Sequence, residues 1–394
     1  MLTTCRVCSR PAPDLLHASP LPLTLTSESK LRQGRLRIHL CSNCAHVMSD
    51  EGGLEDVAGY YDAEYDSLLD LPDADDLYDL DASLQPVYRS QVELDTLARL
   101  ANLAPKGRLL DYGCGKGGFL ARFQQRYPGW ELTGLDVSER YRPFVEAVTG
   151  PDRFHTCPLT RVPEVEGPFD LVTMFFVAEH LVEPQTTLRR IATMLAPGGL
   201  LYLAVPNVLV NSIDAFLADH LSHFSAPSLS LLLHRAGLRP VVLSEHHQLG
   251  QLVVMAVPEP GFAAGPAERV ANDVVGAYAR KIRKDVGAWV DCGRRLEEFL
   301  RGRSREGALA VYGAGVFGSY LALTAGSARD AITCFLDQNP FKVGKEHMGR
   351  PIVHPTQLPP GVTDLLVGLN PGRARDILRQ AGLLDRPRLR LFFP

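Results

Sequence analysis

Two histidines lie three residues apart in the stretch FLADHLSHFS, residues 216–225, which is otherwise suited to burial. Buried imidazoles are rarely present for packing alone, because a buried ring nitrogen needs a hydrogen-bond partner. With an ordinary pKa of about 6.5, His220 is expected to be substantially neutral at pH 7 and able to accept a proton. Asp219 is adjacent in sequence and so is poorly placed to bond its neighbour's ring. The segment predicts either a general base at His220 or a histidine that satisfies backbone groups; for His223 a structural role is expected.

Two Cys-x-x-Cys pairs, CRVC and CSNC, are separated by 32 residues near the N-terminus. Each pair can direct two thiolates at one point, and two pairs complete the closed tetrahedral set that structural zinc prefers. The alternatives are two unrelated pairs, one of them redox-active, or a substitution of His39 or His46 as a ligand. The pattern predicts one structural zinc ion, and the predicted ligands are Cys5, Cys8, Cys41 and Cys44.

A strand, a glycine-rich turn and a helix are predicted by RLLDYGCGKGGFLARF, residues 108–123. Glycine lets a backbone approach a ligand closely, and the helix N-terminus offers unpaired N–H groups. A second predicted strand ends at Asp136, where α/β nucleotide-binding folds place the carboxylate that contacts a ribose. Two further strands follow, in FDLVTMFFVAEHLVEP (169–184) and LAPGGLLYLAVPN (195–207). The region therefore predicts a doubly wound α/β nucleotide fold.

These elements, in this order, resemble the class I S-adenosylmethionine-dependent methyltransferases over roughly residues 105–210. The resemblance implies that Gly113 and Gly115 line the methionine part of the cofactor, and that Asp136 binds both ribose hydroxyls. It also implies that Asp111 orients the loop or the cofactor's amino group, and it makes His180 of AEHL a second catalytic candidate. The other predicted cofactor contacts are Tyr112, Val137 and Phe176.

Two features test this resemblance. Gly118 leaves open the glycine spacing of a dinucleotide-binding dehydrogenase, whereas the later PGG turn and its strand favour the methyltransferase. Cys157 and Pro158 stand where many relatives carry an acidic residue near the adenine, so the contacts to adenine depart from that pattern.

A second dinucleotide-type fingerprint appears in ALAVYGAGVFGSYLALTAG, residues 308–326. Asp337 ends the next predicted strand, as the ribose-binding acid of such a fold would. A nicotinamide-dependent oxidoreductase is therefore a second hypothesis. Only about 90 residues follow the preceding helical stretch, which is too few for a complete dinucleotide fold and a substrate domain. The glycines of this fingerprint are Gly313, Gly315 and Gly318.

The order of the four-cysteine module, the methyltransferase region and DQNPFKVGKEHMGRPIVHP (337–355) resembles the sugar C-methyltransferases along nearly the whole chain. The resemblance implies a nucleotide-linked keto-deoxysugar, bound between the core and the C-terminal domain and methylated at carbon. It also implies that His220 is the catalytic histidine and that Asp219 stands for the family's glutamate. Leu217 replaces the family's tyrosine, whose hydroxyl could move a proton or polarise a carbonyl.

We expect an α/β protein with a class I methyltransferase core, an N-terminal zinc module and a small Rossmann-like C-terminal domain. The expected boundaries are 1–85 for the zinc module, 86–260 for the core, 261–305 for a helical linker and 306–394 for the C-terminal domain. A chain of 394 residues is long enough for two or three such cores.

Composition and charge disfavour several classes of partner. The net charge of −4 comes with no basic stripe, which disfavours nucleic acid and hence an RNA methyltransferase. No apolar run is long enough for a membrane span and no secretory signal begins the chain, so a cytoplasmic location with reduced thiols is expected. Small-molecule O-methylation remains an alternative to C-methylation. The remaining cysteines are expected to be small core residues: Cys114, Cys292 and Cys334.

Overall fold

A computed structural model describes residues 4–11, 13–55, 60–61, 77–80, 86–248, 250–259, 271–303 and 307–394. The first part of the expected helical linker, residues 261–270, and its last residues, 304 and 305, lie outside the described residues. Within the linker range the chain forms one long helix.

The strands, in chain order, are β1 Asp14–Ala18, β2 Leu23–Leu25, β3 Leu31–Gln33, β4 Arg37–Leu40, β5 Val47–Ser49, β6 Leu77–Leu80, β7 Pro86–Tyr88, β8 Gly107–Tyr112, β9 Trp130–Asp136, β10 Phe154–Thr156, β11 Phe169–Phe175, β12 Leu195–Pro206, β13 Ser222–His223, β14 Leu238–Ser244, β15 Gln251–Pro258, β16 Ala308–Tyr312, β17 Ile332–Leu336, β18 Glu346–His347, β19 Arg350–Val353, β20 Val362–Val367 and β21 Arg390–Phe392. The helices are α1 Arg89–Leu100, α2 Gly118–Arg126, α3 Arg142–Thr149, α4 Pro184–Met194, α5 Ala226–Arg235, α6 Asn272–Arg301, α7 Val316–Thr324 and α8 Ala374–Gln380.

The central sheet has seven strands in the order β10-β9-β8-β11-β12-β15-β14, and β15 runs antiparallel to both of its neighbours. The inner strands are nearly continuous apolar runs because a parallel sheet is covered on both faces. The carboxyl ends of β8, β9 and β11 meet at one edge, where open α/β sheets bind their ligands. This arrangement confirms the predicted class I methyltransferase fold.

The predicted PGG turn differs in detail. Residues 195–206 form one strand, β12, and its pairing with β11 shifts in register between Phe169 and Leu171. Gly198, with φ of +80°, lies within this irregular stretch, so the glycines allow the strand to bulge rather than to begin after a turn.

The N-terminal strands share a sheet with the methyltransferase region. Its order is β1-β4-β5-β13, and β13 pairs Ser222 with Met48 and His223 with Val47. The guanidinium of Arg6 adds hydrogen bonds of 2.6 Å to the carbonyl of Ser49 and 3.2 Å to that of Leu221. The segment that follows His220 is therefore held by the four-cysteine module.

The C-terminal sheet has six strands in the order β18-β19-β17-β16-β20-β21. It is joined to the core by α6, whose 30 residues carry one apolar stripe of buried side chains: Val275, Ile282, Val286, Trp289, Cys292 and Leu296. From Ile282 onwards, this stripe packs in one apolar cluster with residues of the N-terminal strands and of the C-terminal strands. Among the described residues, none of the helices combines the length and the apolar character that a bilayer span needs.

Candidate active site

The loop after β8 has left-handed backbone, with φ of +84° at Gly113 and +50° at Gly115. A side chain at Gly113 is excluded twice, because this φ strains an L-residue and a Cβ would lie 2.1 Å from Cγ2 of Val177. The amide of Gly115 donates a 2.8 Å hydrogen bond to Oδ2 of Asp136, at the end of the adjacent strand. The loop and this carboxylate therefore face the same space.

Two carboxylates are buried at this edge. Oδ1 of Asp136 accepts a 2.7 Å hydrogen bond from the amide of Val137, and Oδ1 of Asp111 accepts one of 2.7 Å from the hydroxyl of Thr173. Burial raises the pKa of Asp136, and it raises the pKa of Asp111 to about 7. A ligand with positive charge would offset the lost hydration of both carboxylates.

A cavity of about 1090 Å³ opens in front of the glycine loop. It is lined by every predicted cofactor residue, including Tyr112, Val137 and Phe176, and also by His180 and His220. Phe176 has a φ of +57°, and the guanidinium of Arg89 lies 4.2 Å from the centre of its ring. The predicted cofactor residues and the two histidines therefore line the same cavity.

The partner of His220 is a carboxylate that sequence analysis missed. Asp214, in a short 3₁₀ turn at Ser212–Phe216, accepts a 2.7 Å hydrogen bond from Nδ1 of His220 on one oxygen. Its other oxygen lies 2.7 Å from Nδ1 of His223, and Nε2 of His223 is 3.1 Å from the hydroxyl of Ser49 in the N-terminal module. Asp214 thus fixes both rings through Nδ1, and His220 also lines the cavity.

The protonation expected of His220 changes in this setting. Burial lowers its pKa, but the charge and hydrogen bond of Asp214, with the charges of Asp219 and Glu179, outweigh burial and raise it to about 10. The expectation of a substantially neutral ring at pH 7 was therefore wrong. Asp214 is not recognisable as a direct partner from its spacing to His220, so the pKa of an isolated imidazole was the wrong reference.

His180 lies directly beside His220, with the ring centres 4.7 Å apart and the planes at 84°. Its Nδ1 lies 2.9 Å from the carbonyl of Asp219 and 2.8 Å from the hydroxyl of Tyr61. Burial and the charge of His220 lower the pKa of His180 to about 4. His180 is therefore the neutral member of the pair.

The carboxylate of Asp219 serves another contact. Oδ1 accepts a 2.8 Å hydrogen bond from the amide of Ser27, and Oδ2 accepts one of 2.5 Å from its hydroxyl. The closest approach to a histidine is 4.0 Å, to Nδ1 of His180. Asp219 consequently ties the hairpin between β2 and β3 to the histidine segment and makes no direct bond to its neighbour's ring.

Glu179 precedes His180 and is completely buried. Its backbone carbonyl accepts hydrogen bonds of 2.7 Å from Leu221 and 3.0 Å from Ser222, which dock the histidine segment against it. Neither carboxylate oxygen has a hydrogen-bond partner within the described parts of the chain, and burial raises its pKa to about 8. One ligand-type atom each from Glu179, His180 and His220 lies within 4.8 Å of the others.

The four predicted cysteines converge at the N-terminus. Sγ of Cys5 lies 3.7 Å from Sγ of Cys44, and Sγ of Cys8 lies 3.5 Å from Sγ of Cys41. All four sulfur atoms lie within 4.8 Å of one another. Zinc–sulfur bonds of about 2.3 Å in a tetrahedron separate the sulfurs by about 3.8 Å, so this set fits zinc. Neither His39 nor His46 belongs to the described cluster.

The C-terminal domain contributes its loop after β17 to the lining of the cavity. Oδ2 of Asp337 accepts a 3.0 Å hydrogen bond from the amide of Ala314, in the second glycine loop. Nζ of Lys342 donates a 2.8 Å bond to the carbonyl of Ala314, so the lysine lies across that loop. Lys342 and Lys345 both line the cavity of the methyltransferase core.

Glycine loop, acidic strand end and seven-stranded sheet together define a class I S-adenosylmethionine-dependent methyltransferase domain. Residues 87–243 match the family model of a methyltransferase domain. The cofactor of this domain is S-adenosylmethionine, and the glycine loop and the two buried carboxylates fit a cationic nucleoside.

The chain is similar to curated ubiquinone biosynthesis O-methyltransferases. That of Chromobacterium violaceum is 29% identical over 136 residues, which cover 33% of this chain and 57% of the relative. That of Xanthomonas campestris pv. campestris is 31% identical over 163 residues, covering 38% of this chain and 63% of the relative. The chain thus spans less than two thirds of these relatives. An S-adenosylmethionine-dependent methyltransferase from Mesorhizobium loti is similar in structure, with 19% identity and a TM-score of 0.36, covering 42% of this chain and 97% of that one.

Proposed function

We propose that the protein transfers a methyl group from S-adenosylmethionine to carbon of a nucleotide-activated keto-deoxysugar, with His220 as the base. The observation that carries this proposal is one cavity lined by the cofactor loop, by His220 and by the lysines of the C-terminal domain. A methyltransferase needs the acceptor next to the cofactor, and a sugar nucleotide also needs a place for its diphosphate.

The cofactor, when bound, supplies an electrophilic methyl group on a positively charged sulfur. Gly113 and Gly115 would let the backbone approach it, and Asp136 would accept hydrogen bonds from its ribose. Asp111 lies beside the loop and would favour positive charge. Tyr112, Val137 and Phe176 line the same cavity and would contact the remainder.

In this proposal, His220 is the base that removes a proton from the acceptor. Asp214 holds its Nδ1, which fixes the direction of Nε2, and His220 lines the cavity. A base must be oriented before its pKa matters, and this pair provides the orientation. His180, neutral and perpendicular to His220, shapes the acceptor space, and Asp219 keeps the hairpin of the N-terminal module in place.

Support for a nucleotide sugar comes from charge. Lys342 and Lys345 line the cavity from the C-terminal domain, together with Glu346 of β18. Ammonium groups that line a cavity complement a diphosphate. Nζ of Lys342 already bonds the carbonyl of Ala314 in the second glycine loop, and this disfavours a nicotinamide dinucleotide at that loop.

The test is methyl transfer to a panel of nucleoside-diphosphate keto-deoxysugars with isotope-labelled cofactor, read by mass spectrometry and NMR of the product. A label on carbon supports the proposal, and transfer to none of the panel contradicts it. Asp136→Ala should weaken binding of S-adenosylhomocysteine by about 1–3 kcal/mol, through loss of charge-assisted hydrogen bonds to the ribose.

The second candidate is O-methylation of a hydroxylated small molecule. It is favoured by the curated relatives, which are named as O-methyltransferases. The same assay with a catechol in place of the sugar nucleotide distinguishes the two, because the product carries its label on oxygen.

We also infer that the four cysteines bind one structural zinc ion and that the expected domain boundaries describe functional units. The zinc assignment is supported by the distances between the sulfur atoms and by a ligand set made of four cysteine thiolates, which is typical of structural zinc. The boundary at residue 260 is supported because every strand of the central sheet precedes it and every strand of the C-terminal sheet follows it. At residue 85 the hairpin of β6 and β7 crosses the proposed boundary.

A further inference from the structure

The buried carboxylate of Glu179 lacks a task in the function proposed above. It is fully buried, it lines the cavity, and its two oxygens have no hydrogen-bond partner among the described residues. An unpaired buried carboxylate is costly to stability, so a partner that comes with the substrate is expected at this position.

A keto-sugar acceptor poses a matching need. Removal of a proton next to a ketone leaves charge on the carbonyl oxygen, and a preorganised donor must face that oxygen. The tyrosine that would supply a donor at position 217 is replaced by leucine. Leu217 is buried in the apolar cluster shared with the N-terminal strands, so this position supplies no such donor.

We propose that Glu179, in its protonated form, is the hydrogen-bond donor to the acceptor's carbonyl oxygen, with His220 as the base. This inference rests on the proposed function, because it requires a ketone. Glu179 is suitably placed: one of its oxygens and a ring nitrogen of His220 lie within 4.8 Å, close enough to serve neighbouring atoms of one acceptor.

The step balances within the acceptor and these two residues. The C–H bond next to the ketone breaks, and its proton moves to Nε2 of His220. The electron pair of that bond forms the C=C bond of the enolate, whose oxygen keeps the carbonyl electrons and accepts the Glu179 hydrogen bond. The nucleophilic carbon then takes the methyl group of the cofactor, and the sulfur retains the electrons of the broken S–C bond.

The environment of Glu179 favours the neutral acid. The groups that face it are the rings of His180 and His220 and the carboxylates of Asp214 and Asp219. Burial raises its pKa to about 8, and the two aspartates add to the rise, whereas His220 opposes it. A carboxylic acid kept neutral by burial is an effective donor to an enolate oxygen.

The experiment compares Glu179→Gln with Glu179→Met, because glutamine keeps an N–H donor whereas methionine has similar size and no donor. The first readout is cofactor-independent: exchange of the acceptor's α-proton for solvent deuterium, followed by NMR on a keto-deoxysugar nucleotide that the wild-type enzyme methylates. We expect Glu179→Gln to stay within about tenfold of wild type and Glu179→Met to lose about 10²- to 10³-fold in exchange and kcat. Circular dichroism and binding of S-adenosylhomocysteine verify that both variants fold.

The pH profile gives a second readout. The working form has an unprotonated His220 and a protonated Glu179, so it carries one proton on the pair. With pKa values of about 8 for Glu179 and about 10 for His220, the form with one proton on the pair is most populated between these values. Wild-type kcat/KM should therefore rise near pH 8 and fall near pH 10. In Glu179→Gln the fall at high pH should disappear, because the amide does not titrate.

Three outcomes would overturn the inference while leaving the proposed function intact. A Glu179→Met enzyme at wild-type rate shows that the carboxyl group is dispensable. Equal losses in both variants show that a carboxylate, not a donor, is needed. A wild-type rate that depends on added Mg²⁺ or Mn²⁺, with the dependence lost in both variants, makes Glu179 a metal ligand. Failure of the wild-type enzyme on every keto-sugar contradicts the proposed function instead.

Discussion

The buried Asp214 carboxylate converts two histidines into a fixed unit. It bonds Nδ1 of both His220 and His223, and neither ring can rotate without breaking a 2.7 Å contact. An imidazole whose other nitrogen is held by a carboxylate is oriented and is also made more basic. The direction in which Nε2 of His220 points is therefore set before any substrate binds.

His220→Asn tests the base directly. We expect retention of fold and of S-adenosylhomocysteine binding, with kcat lower by about 10²- to 10⁴-fold, the usual contribution of a general base. Steady-state kinetics and calorimetry are the measurements, and His180→Asn, which should cost less, is the comparison. Full activity of His220→Asn at neutral pH would make the imidazole structural.

Asp214→Asn separates orientation from basicity. The amide keeps hydrogen-bonding capacity but removes the charge that raises the pKa of His220 to about 10. A base with a lower pKa sheds its proton earlier as pH increases, so the pH optimum of kcat/KM should move to lower pH. The pH profile is the readout, and His223→Asn, which leaves the Asp214 charge in place, should keep the wild-type optimum. An unchanged profile in Asp214→Asn would contradict the coupling.

At the scale of elements, the carboxyl edge of the central sheet positions the cofactor. The ends of β8, β9 and β11 bring Asp111, Asp136 and Phe176 to one cavity because parallel strands end on the same side. Close approach of the first loop depends on the absence of a side chain at Gly113.

Gly113→Ala should therefore abolish cofactor binding, because the new Cβ meets Val177 at 2.1 Å in a backbone with φ of +84°. Gly150→Ala is the matched control, since its φ is +88° and a Cβ there meets nothing within 4 Å. The control should lose about 1–3 kcal/mol of stability from its strained backbone and bind S-adenosylhomocysteine normally. Calorimetry on both decides, and equal affinities would show that the loop adapts.

The sequence predicted elements of this kind well. Glycine loop, strand-end acid and cysteine pairs depend on local spacing, and spacing is visible in the chain. Asp214 and Glu179 were missed because their significance depends on which residues meet in space. Glu179 lies in the same AEHL stretch as His180, and what distinguishes it from a surface glutamate is burial with no hydrogen-bond partner among the described residues. The expected pKa of His220 was wrong for the same reason.

At the scale of the whole molecule, the acceptor site is assembled from separate parts of the chain. The N-terminal module supplies Ser27 to Asp219 and Ser49 to His223, and the C-terminal domain supplies Lys342 to the cavity. Because β13 is a strand of the N-terminal sheet, the histidine segment belongs to both units. A change in the N-terminal module should therefore disturb the histidine segment, and with it kcat, before it weakens binding of the cofactor.

Zinc removal tests this order. Purified protein should contain about one zinc per chain by elemental analysis, since four converging thiolates prefer that ion. Metal removal, or Cys41→Ser, should loosen the β5–β13 pairing and lower kcat, because His223 loses Ser49 and Asp219 loses Ser27. Affinity for S-adenosylhomocysteine should fall later, because Asp136 and the glycine loop belong to the central sheet. The control is Cys334→Ser, because Cys334 is buried but lies outside the cluster. This variant should contain as much zinc as the wild-type protein. Unchanged metal content in Cys41→Ser would contradict the zinc assignment, and simultaneous loss of kcat and cofactor affinity would contradict the order.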